Sequence, residues 1–145
     1  MTSISKKIYF ASDQHFGAPT PELSFPREQK FVAWLDEVKK DAEAIFLLGD
    51  LFDFWFEYKT VVPKGFVRVL GKLAEIRDSG IPIYFFVGNH DLWMNDYFEK
   101  ELNIPVFHEN QEYTFHGKTF LVGHGDGKGP GDLGYIRMKN VFSYT

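Results

Sequence analysis

Four short polar clusters carry most of the chemistry open to this sequence: Asp13-Gln14-His15, Gly49-Asp50-Leu51-Phe52-Asp53, Gly88-Asn89-His90-Asp91 and Gly123-His124-Gly125-Asp126. Together they offer carboxylate oxygens, an amide oxygen and imidazole nitrogens, a donor set suited to Mn, Fe, Zn or Mg. Each cluster also has an ordinary reading. Asp13 and His15 could be a turn aspartate and a surface histidine, and Asp50 could cap the segment after it. Asp53 could stay solvated, and Asp91 could be the N-cap of a helix beginning near Leu92-Trp93-Met94. The combination is harder to explain structurally. Asp50 directly follows an apolar run, where a carboxylate is costly unless it is paired or metal-bound. Asn89 offers a neutral oxygen ligand, and His90 could donate a proton or a charged hydrogen bond during a reaction.

Hydrophobic patterning supplies the elements that must hold these clusters. Apolar runs at 8–11, 44–48 and 83–87 read as buried strands, each ending at one of the clusters. Helices are expected between them. One runs from about Pro26 to Lys40 with Phe31, Leu35 and Val38 on a single face, after a loop over 14–25. The other carries Phe66, Leu70 and Leu73 and ends near Ser79-Gly80. Continuous apolar strands alternating with amphipathic helices describe a parallel sheet covered by helices. Residues 112–115 and 119–122 read as two strands joined by a tight turn at His116-Gly117-Lys118, which should bring antiparallel character to the sheet. A further helix could begin over Leu133 to Phe142. Asp13, Asp50, Asn89 and His124 fall 37, 39 and 35 residues apart, the spacing of strand-helix-strand units. That places all four at carboxyl ends of strands, where open α/β sheets bind ligands.

Composition narrows the function classes. The 145 residues suffice for one core, and 16 phenylalanines can fill it or line an apolar pocket. A formal charge of -4 without a basic stripe argues against nucleic acid as a partner. The absence of cysteine removes disulfides, thiolate catalysis and thiolate metal sites. With no signal-peptide pattern and no apolar run near membrane-spanning length, the expected location is cytoplasmic.

The four clusters, in this order, resemble the signature of the calcineurin-like metallophosphoesterases: aspartate-x-histidine, glycine-aspartate-x-x-aspartate, glycine-asparagine-histidine-aspartate and glycine-histidine. The resemblance implies a mixed-sheet α/β sandwich and two divalent metal ions, with Mn favoured and Mg, Fe or Zn as alternatives. Asp13, His15 and Asp50 would hold one ion, and Asp50, Asn89 and His124 the other. His90 and Asp91 would be catalytic, His90 contacting the transferred group or assisting the leaving oxygen and Asp91 orienting it. Asp53 and Asp126 would support the ligands without touching the ions.

Within that superfamily, Leu47 to Trp55 and His124-Gly125-Asp126 resemble the UDP-2,3-diacylglucosamine pyrophosphatase group of lipid A synthesis. Better-known members of that group can carry arginine where this sequence has His90. The implied substrate is a phosphorylated small molecule or nucleotide-linked lipid, split to 2,3-diacylglucosamine 1-phosphate and UMP, with peripheral contact at an inner membrane. Trp55, Asp132, Tyr135, Arg137 and Lys139 are candidate substrate contacts, although the aromatic stretch from Phe52 to Tyr58 could equally be core. Another phosphodiesterase or phosphatase specificity is the alternative.

The family completes its two-metal centre with a later glycine-histidine-x-histidine block, whereas no histidine follows His124. Residues 1–145 are therefore expected to be the N-terminal portion of a single phosphoesterase domain. Such a portion would have impaired turnover, or act only as an inactive metal-binding scaffold, and would tend to self-associate through an incomplete sheet.

Overall fold

The computed structural model of the chain describes residues 5–124. The expected helix over Leu133 to Phe142 and the candidate residues Asp126, Asp132, Tyr135, Arg137 and Lys139 lie outside the described residues.

Four strands form one parallel sheet in the order β1 (Lys7–Ala11), β2 (Ala42–Leu47), β3 (Ile83–Phe86) and β4 (Val106–Phe107). Crossovers of constant right-handed sense between neighbouring strands put their helices on one face of a sheet, and the packing agrees. Ile45, Leu47, Ile83 and Phe85 point into the same cluster as Phe31, Leu35, Val69, Leu73 and Phe98 of the helices α1 (Pro21–Val38), α2 (Val67–Asp78) and α3 (Tyr97–Leu102). The alternate residues Ala44, Phe46, Leu48 and Phe86 point to the opposite face.

That second face is covered by β5 (Gln111–Phe115) and β6 (Lys118–Val122), which pair only with each other. The hairpin therefore builds a second sheet rather than adding antiparallel strands to the first, as expected from sequence, while β4 extends the first sheet in parallel. The reason is the alternation along the hairpin. Tyr113, Phe115, Phe120 and Val122 share one face and pack on the sheet, whereas Thr114 and Thr119 hydrogen-bond to each other on the outside. Tyr113 and Phe115 meet Phe46 edge-on at centroid distances of 4.9 and 5.9 Å. His116 and Gly117, both at positive φ, make the two-residue turn that suits strand twist.

Helix α1 begins at Pro21, five residues before the expected start. Thr20 accepts a hydrogen bond from the Leu23 amide at 3.2 Å, and Pro21 occupies the first turn, where its missing donor costs nothing. Pro26 then lies inside the helix but on its solvent side, where water can take the place of the absent N–H. Ser24, Glu28, Phe31, Leu35 and Val38 form the buried stripe. Each of its large apolar members contributes about 1.5–3 kcal/mol by leaving water. Glu28 has a second task. The residue preceding α2, Phe66, offers no capping side chain, and Glu28 accepts the Val69 amide at 3.2 Å instead, placing a carboxylate against the positive end of that helix. The third helix begins at Tyr97, not near Leu92, so Asp91 caps no helix. No helix among the described residues is long and apolar enough to cross a membrane.

Candidate metal centre

The segments after β1, β2, β3 and β6 meet at one edge of the sheets, and Asp13, Asp50, Asn89 and His124 stand on them. Gly49 and Gly88 allow the meeting. A Cβ on Gly49, which has φ +90°, would come within 2.6 Å of the His124 Nδ1 and 2.7 Å of the Gly88 amide, and one on Gly88 would strike the Asp50 carboxylate. Asp13, His15 and Asp50 themselves have φ of 62°, 49° and 53°. Left-handed backbone at three candidate ligands is local strain of the kind found at functional sites.

Asp50 is the hub. Its side chain is 5% exposed; Oδ1 accepts the His90 amide at 2.9 Å, and Oδ2 lies 3.7 Å from Nε2 of His15 and 3.6 Å from Nε2 of His124. Asp13 Oδ1 is 3.7 Å from the same His15 nitrogen. These separations are too long for hydrogen bonds. They are close to the spacing of two donors sharing one ion, since ligands at about 2.1 Å from a metal stand about 3–3.5 Å apart. Asn89 adds a second test of fit. One terminal atom of its amide lies 3.0 Å from Asp50 Oδ2 and 3.3 Å from Oδ1. The hydrogen-bond pattern assigns nitrogen to that atom, so Asn89 donates to the Asp50 carboxylate, and its amide would have to turn over to offer oxygen to an ion. The donor set and spacing of Asp13, His15 and Asp50 thus fit a divalent ion, and His15, Asp53 and His90 form a second group of possible donors beside it.

The imidazoles are held by their second nitrogens. His124 Nδ1 lies 2.6 Å from the Leu48 carbonyl, and His90 Nδ1 lies 2.8 Å from the Asp53 carbonyl. A carbonyl can only accept, so both rings carry their proton on Nδ1 and leave Nε2 free. Asp53 also places Oδ1 3.4 Å from Nδ1 of His15 and of His90, so it stands beside the cluster rather than in solvent alone. The hydrogen bond to the Asp53 carbonyl, with the charges of Asp50, Asp53 and Asp91, moves the His90 pKa above the usual imidazole value.

Asp91 is fully buried, and its contacts differ from those expected. The carboxylate accepts the amides of Gly88 at 2.7 Å, Leu51 at 2.9 Å and Asp50 at 3.2 Å. It staples the loop after β2 to the loop after β3. Burial pushes its carboxyl above the ordinary range, and the Gly88 and Asp50 amides pull it back.

Trp55 has no exposed surface among the described residues, packs against Phe52, Tyr97 and Phe98, and donates its indole N–H to Glu57 at 2.9 Å, the packing of a core residue. Arg27 had no signal in the sequence beyond its place in the first turns of α1. Its guanidinium donates to the carbonyls of Gln14, His15 and Ala18 at 2.8–3.3 Å and so frames the loop that carries His15.

Comparison with known proteins places this geometry in context. Residues 6–144 match the family model of the calcineurin-like phosphoesterases. A UDP-2,3-diacylglucosamine hydrolase of Porphyromonas gingivalis is 47% identical over 120 residues, covering 83% of this chain and 46% of that protein. One of Haemophilus influenzae strain PittGG is 32% identical, over 92% of this chain and 54% of its own. The chain thus spans about half the length of the curated relatives it matches. A crystal structure of a protein of unknown function from Aquifex aeolicus superposes with a TM-score of 0.57 at 22% identity, over 94% of this chain and 70% of that one, which shows the fold alone.

Proposed function

Since the chain belongs to the calcineurin-like phosphoesterase family, whose members are metal-dependent hydrolases, we propose that its Asp50-centred cluster serves hydrolysis of UDP-2,3-diacylglucosamine to 2,3-diacylglucosamine 1-phosphate and UMP. The observation that carries the catalytic reading is the position of Asp50 Oδ2 between the Nε2 atoms of His15 and His124, with Asn89 alongside. The substrate is taken from the relatives of Porphyromonas gingivalis and Haemophilus influenzae, which are UDP-2,3-diacylglucosamine hydrolases by name.

In this reading Asp13, His15 and Asp50 hold one divalent ion, and Asp50, Asn89 and His124 a second, with Mn favoured over Mg, Fe or Zn. Such ions supply positive charge toward phosphoryl oxygens and activate water for in-line attack. The remaining steps belong to the chain. His90, its Nδ1–H anchored on the Asp53 carbonyl, turns Nε2 toward the transferred group and, when that nitrogen is protonated as well, gives its proton to the leaving oxygen and is left as the neutral Nδ1–H imidazole. Asp53 holds His15 and His90 in register. Asp91 acts as a positioning residue, fixing the backbone on which Asp50 and Asn89 stand. The reaction is placed in the cytoplasm at a membrane surface, where a nucleotide-linked lipid presents its diphosphate.

The test is a calorimetric titration with Mn, followed by a substrate panel of UDP-2,3-diacylglucosamine, a cyclic nucleotide and a phosphoprotein. Expected are metal-dependent release of UMP and loss of both binding and release in Asp50→Asn. Turnover confined to the cyclic nucleotide or phosphoprotein overturns the substrate; metal binding without any hydrolysis leaves the scaffold reading.

A further inference from the structure

Three donor atoms stand together just outside the group that Asp13, His15 and Asp50 form. Asp53 Oδ1 lies 3.4 Å from Nδ1 of His15 and 3.4 Å from Nδ1 of His90. The two rings meet edge to face, with planes 85° apart and centroids at 4.7 Å. At 3.4 Å these contacts are long for hydrogen bonds. They match the edge of a tetrahedron of ligands about 2.1 Å from a central ion, which is about 3.4 Å. All three ligand atoms lie within 4.8 Å of one another. The side chains of His15, Asp53 and His90 keep 31%, 43% and 43% of their surface, so an ion can reach them from solvent.

The backbones that carry these donors are already fixed. His15 donates its amide to the Asp50 carbonyl at 2.9 Å, Asp53 donates to the Phe16 carbonyl at 3.0 Å, and His90 donates to Asp50 Oδ1 at 2.9 Å. A donor set held before the ion arrives loses little freedom on binding it. The donor types also differ from those of the neighbouring group: two imidazole nitrogens and one carboxylate oxygen, against one nitrogen and two oxygens. Two nitrogens and one oxygen, with water in the fourth position, suit Zn, whereas Mn and Mg favour oxygen. One bond must give way, that from His90 Nδ1–H to the Asp53 carbonyl at 2.8 Å. An ion at Nδ1 displaces that proton and Nε2 takes one up, so the ring stays neutral. His15 meets the same constraint. A neutral imidazole has one nitrogen able to accept, so an ion on its Nδ1 leaves an N–H on Nε2, directed at Asp13 and Asp50.

We propose that His15 Nδ1, Asp53 Oδ1 and His90 Nδ1 form a zinc site separate from the ion position at Asp13, His15 and Asp50, and that its occupation is inhibitory. Zinc there takes the His15 ring from the neighbouring ion, and it leaves His90 without the second ring proton that a leaving oxygen needs. The inhibition rests on the roles proposed above for His15 and His90; the site itself does not.

The 145-residue chain is titrated with zinc chloride and followed by two-bond proton–nitrogen spectra, which tell a metal-bound imidazole nitrogen from a protonated one. Expected at the first equivalent are metal-bound Nδ1 and protonated Nε2 in both His15 and His90, with His124 responding only to further Zn. Calorimetry then compares Zn with Mn. His90→Ala and Asp53→Asn should each weaken Zn binding by at least the roughly 10–100-fold that losing a supporting partner costs a metal site, and weaken Mn binding less. Asp13→Asn should do the reverse, and Zn bound first should lower the affinity for Mn because the His15 ring is shared. Circular dichroism checks that the variants fold. Three results overturn the site: no Zn binding, Zn on Nε2 of His15 with His90 unchanged, or unaltered Zn affinity in both His90→Ala and Asp53→Asn. Where Mn supports UMP release, one equivalent of Zn should suppress it; release indifferent to Zn overturns the inhibition. The spectra and calorimetry need no turnover, so their failure leaves the proposed hydrolysis standing, just as a chain that releases no UMP can still hold Zn here.

Discussion

Replacing Asp91 separates the architecture of the centre from its ligands, because the side chain has no exposed surface and bonds only backbone amides. In Asp91→Ala the amides of Gly88, Asp50 and Leu51 lose their acceptor. A buried amide without a partner costs about 1–3 kcal/mol. Water entering the vacated space relieves part of that, and the desolvation already borne by the carboxylate is recovered, so the net loss is about 3–5 kcal/mol. Asp91→Asn should lie between. Its remaining oxygen can serve Gly88 and Asp50, but its NH2 then faces the Leu51 amide, a donor against a donor, for about 1–3 kcal/mol. The assay is urea unfolding of the metal-free protein, so that no ligand chemistry enters, followed by Mn titration of the folded variants. The order wild type, Asn, Ala should hold for both stability and metal affinity, since Asp50 and Asn89 lose the staple between their loops. An Asp91→Ala protein within about 1 kcal/mol of wild type would refute the argument that three amides depend on this carboxylate.

Gly49→Ala should cost about 1–2 kcal/mol from the left-handed backbone alone. It should also push His124 off its site, because the new methyl would sit 2.6 Å from Nδ1; the imidazole resonances of His124 should then no longer respond to added Mn or Zn. Far from the centre, the hydrogen bond of 2.6 Å from Tyr9 to Asp41 holds the Asp41 carboxyl below its ordinary range, and the same bond raises the Tyr9 pKa to about 12. A depressed carboxyl stabilises the fold above its unfolded pKa and stops doing so as pH falls through the folded value. A raised phenol stabilises below about 10 and stops as pH climbs toward 12. Tyr9→Phe should therefore flatten both the acid limb below about pH 4 and the alkaline limb of the stability profile; unchanged limbs in unfolding curves across pH would exclude the linkage.

The sequence made the strands and the clusters at their ends legible because both signals are local: an apolar run that stops, then a glycine or serine, then a donor. What it hid depends on contacts between distant segments. The aromatic stretch shows the difficulty. Phe54, Phe56 and Tyr58 are exposed while Trp55 is buried and Glu57 turned inward, an extended segment with period two. Rings at four of those five positions mask the alternation. Asp91 looked like a helix cap because aspartate before an apolar run usually is one, and only the approach of the loop after β2 reveals its other partners. Pro26 looked like a helix start because proline inside a helix is expensive, and that cost falls when the residue faces solvent. Arg27 could not be recognised at all, since it binds carbonyls, which every residue has.

The strain and the cross-ties at this centre are one design. A regular strand would send Asp13 and Asp50 along its own axis, whereas left-handed turns at Asp13, His15 and Asp50 fold the chain back over the strand ends. Each such turn costs on the order of 1–3 kcal/mol, so it must be held. The amides of Asp13, His15 and Phe16 donate to the carbonyls of Gly49, Asp50 and Leu51, zipping the first two loops together beyond the end of the β1–β2 ladder. Arg27 grips the first loop from α1, and Asp91 grips the second from the loop after β3. Because the amide zipper and the Asp91 staple each span two loops and Arg27 braces the first of them from α1, loosening one tie releases strain at more than one candidate ligand, and metal affinity should respond more steeply to these supporting residues than their distance from any ion suggests.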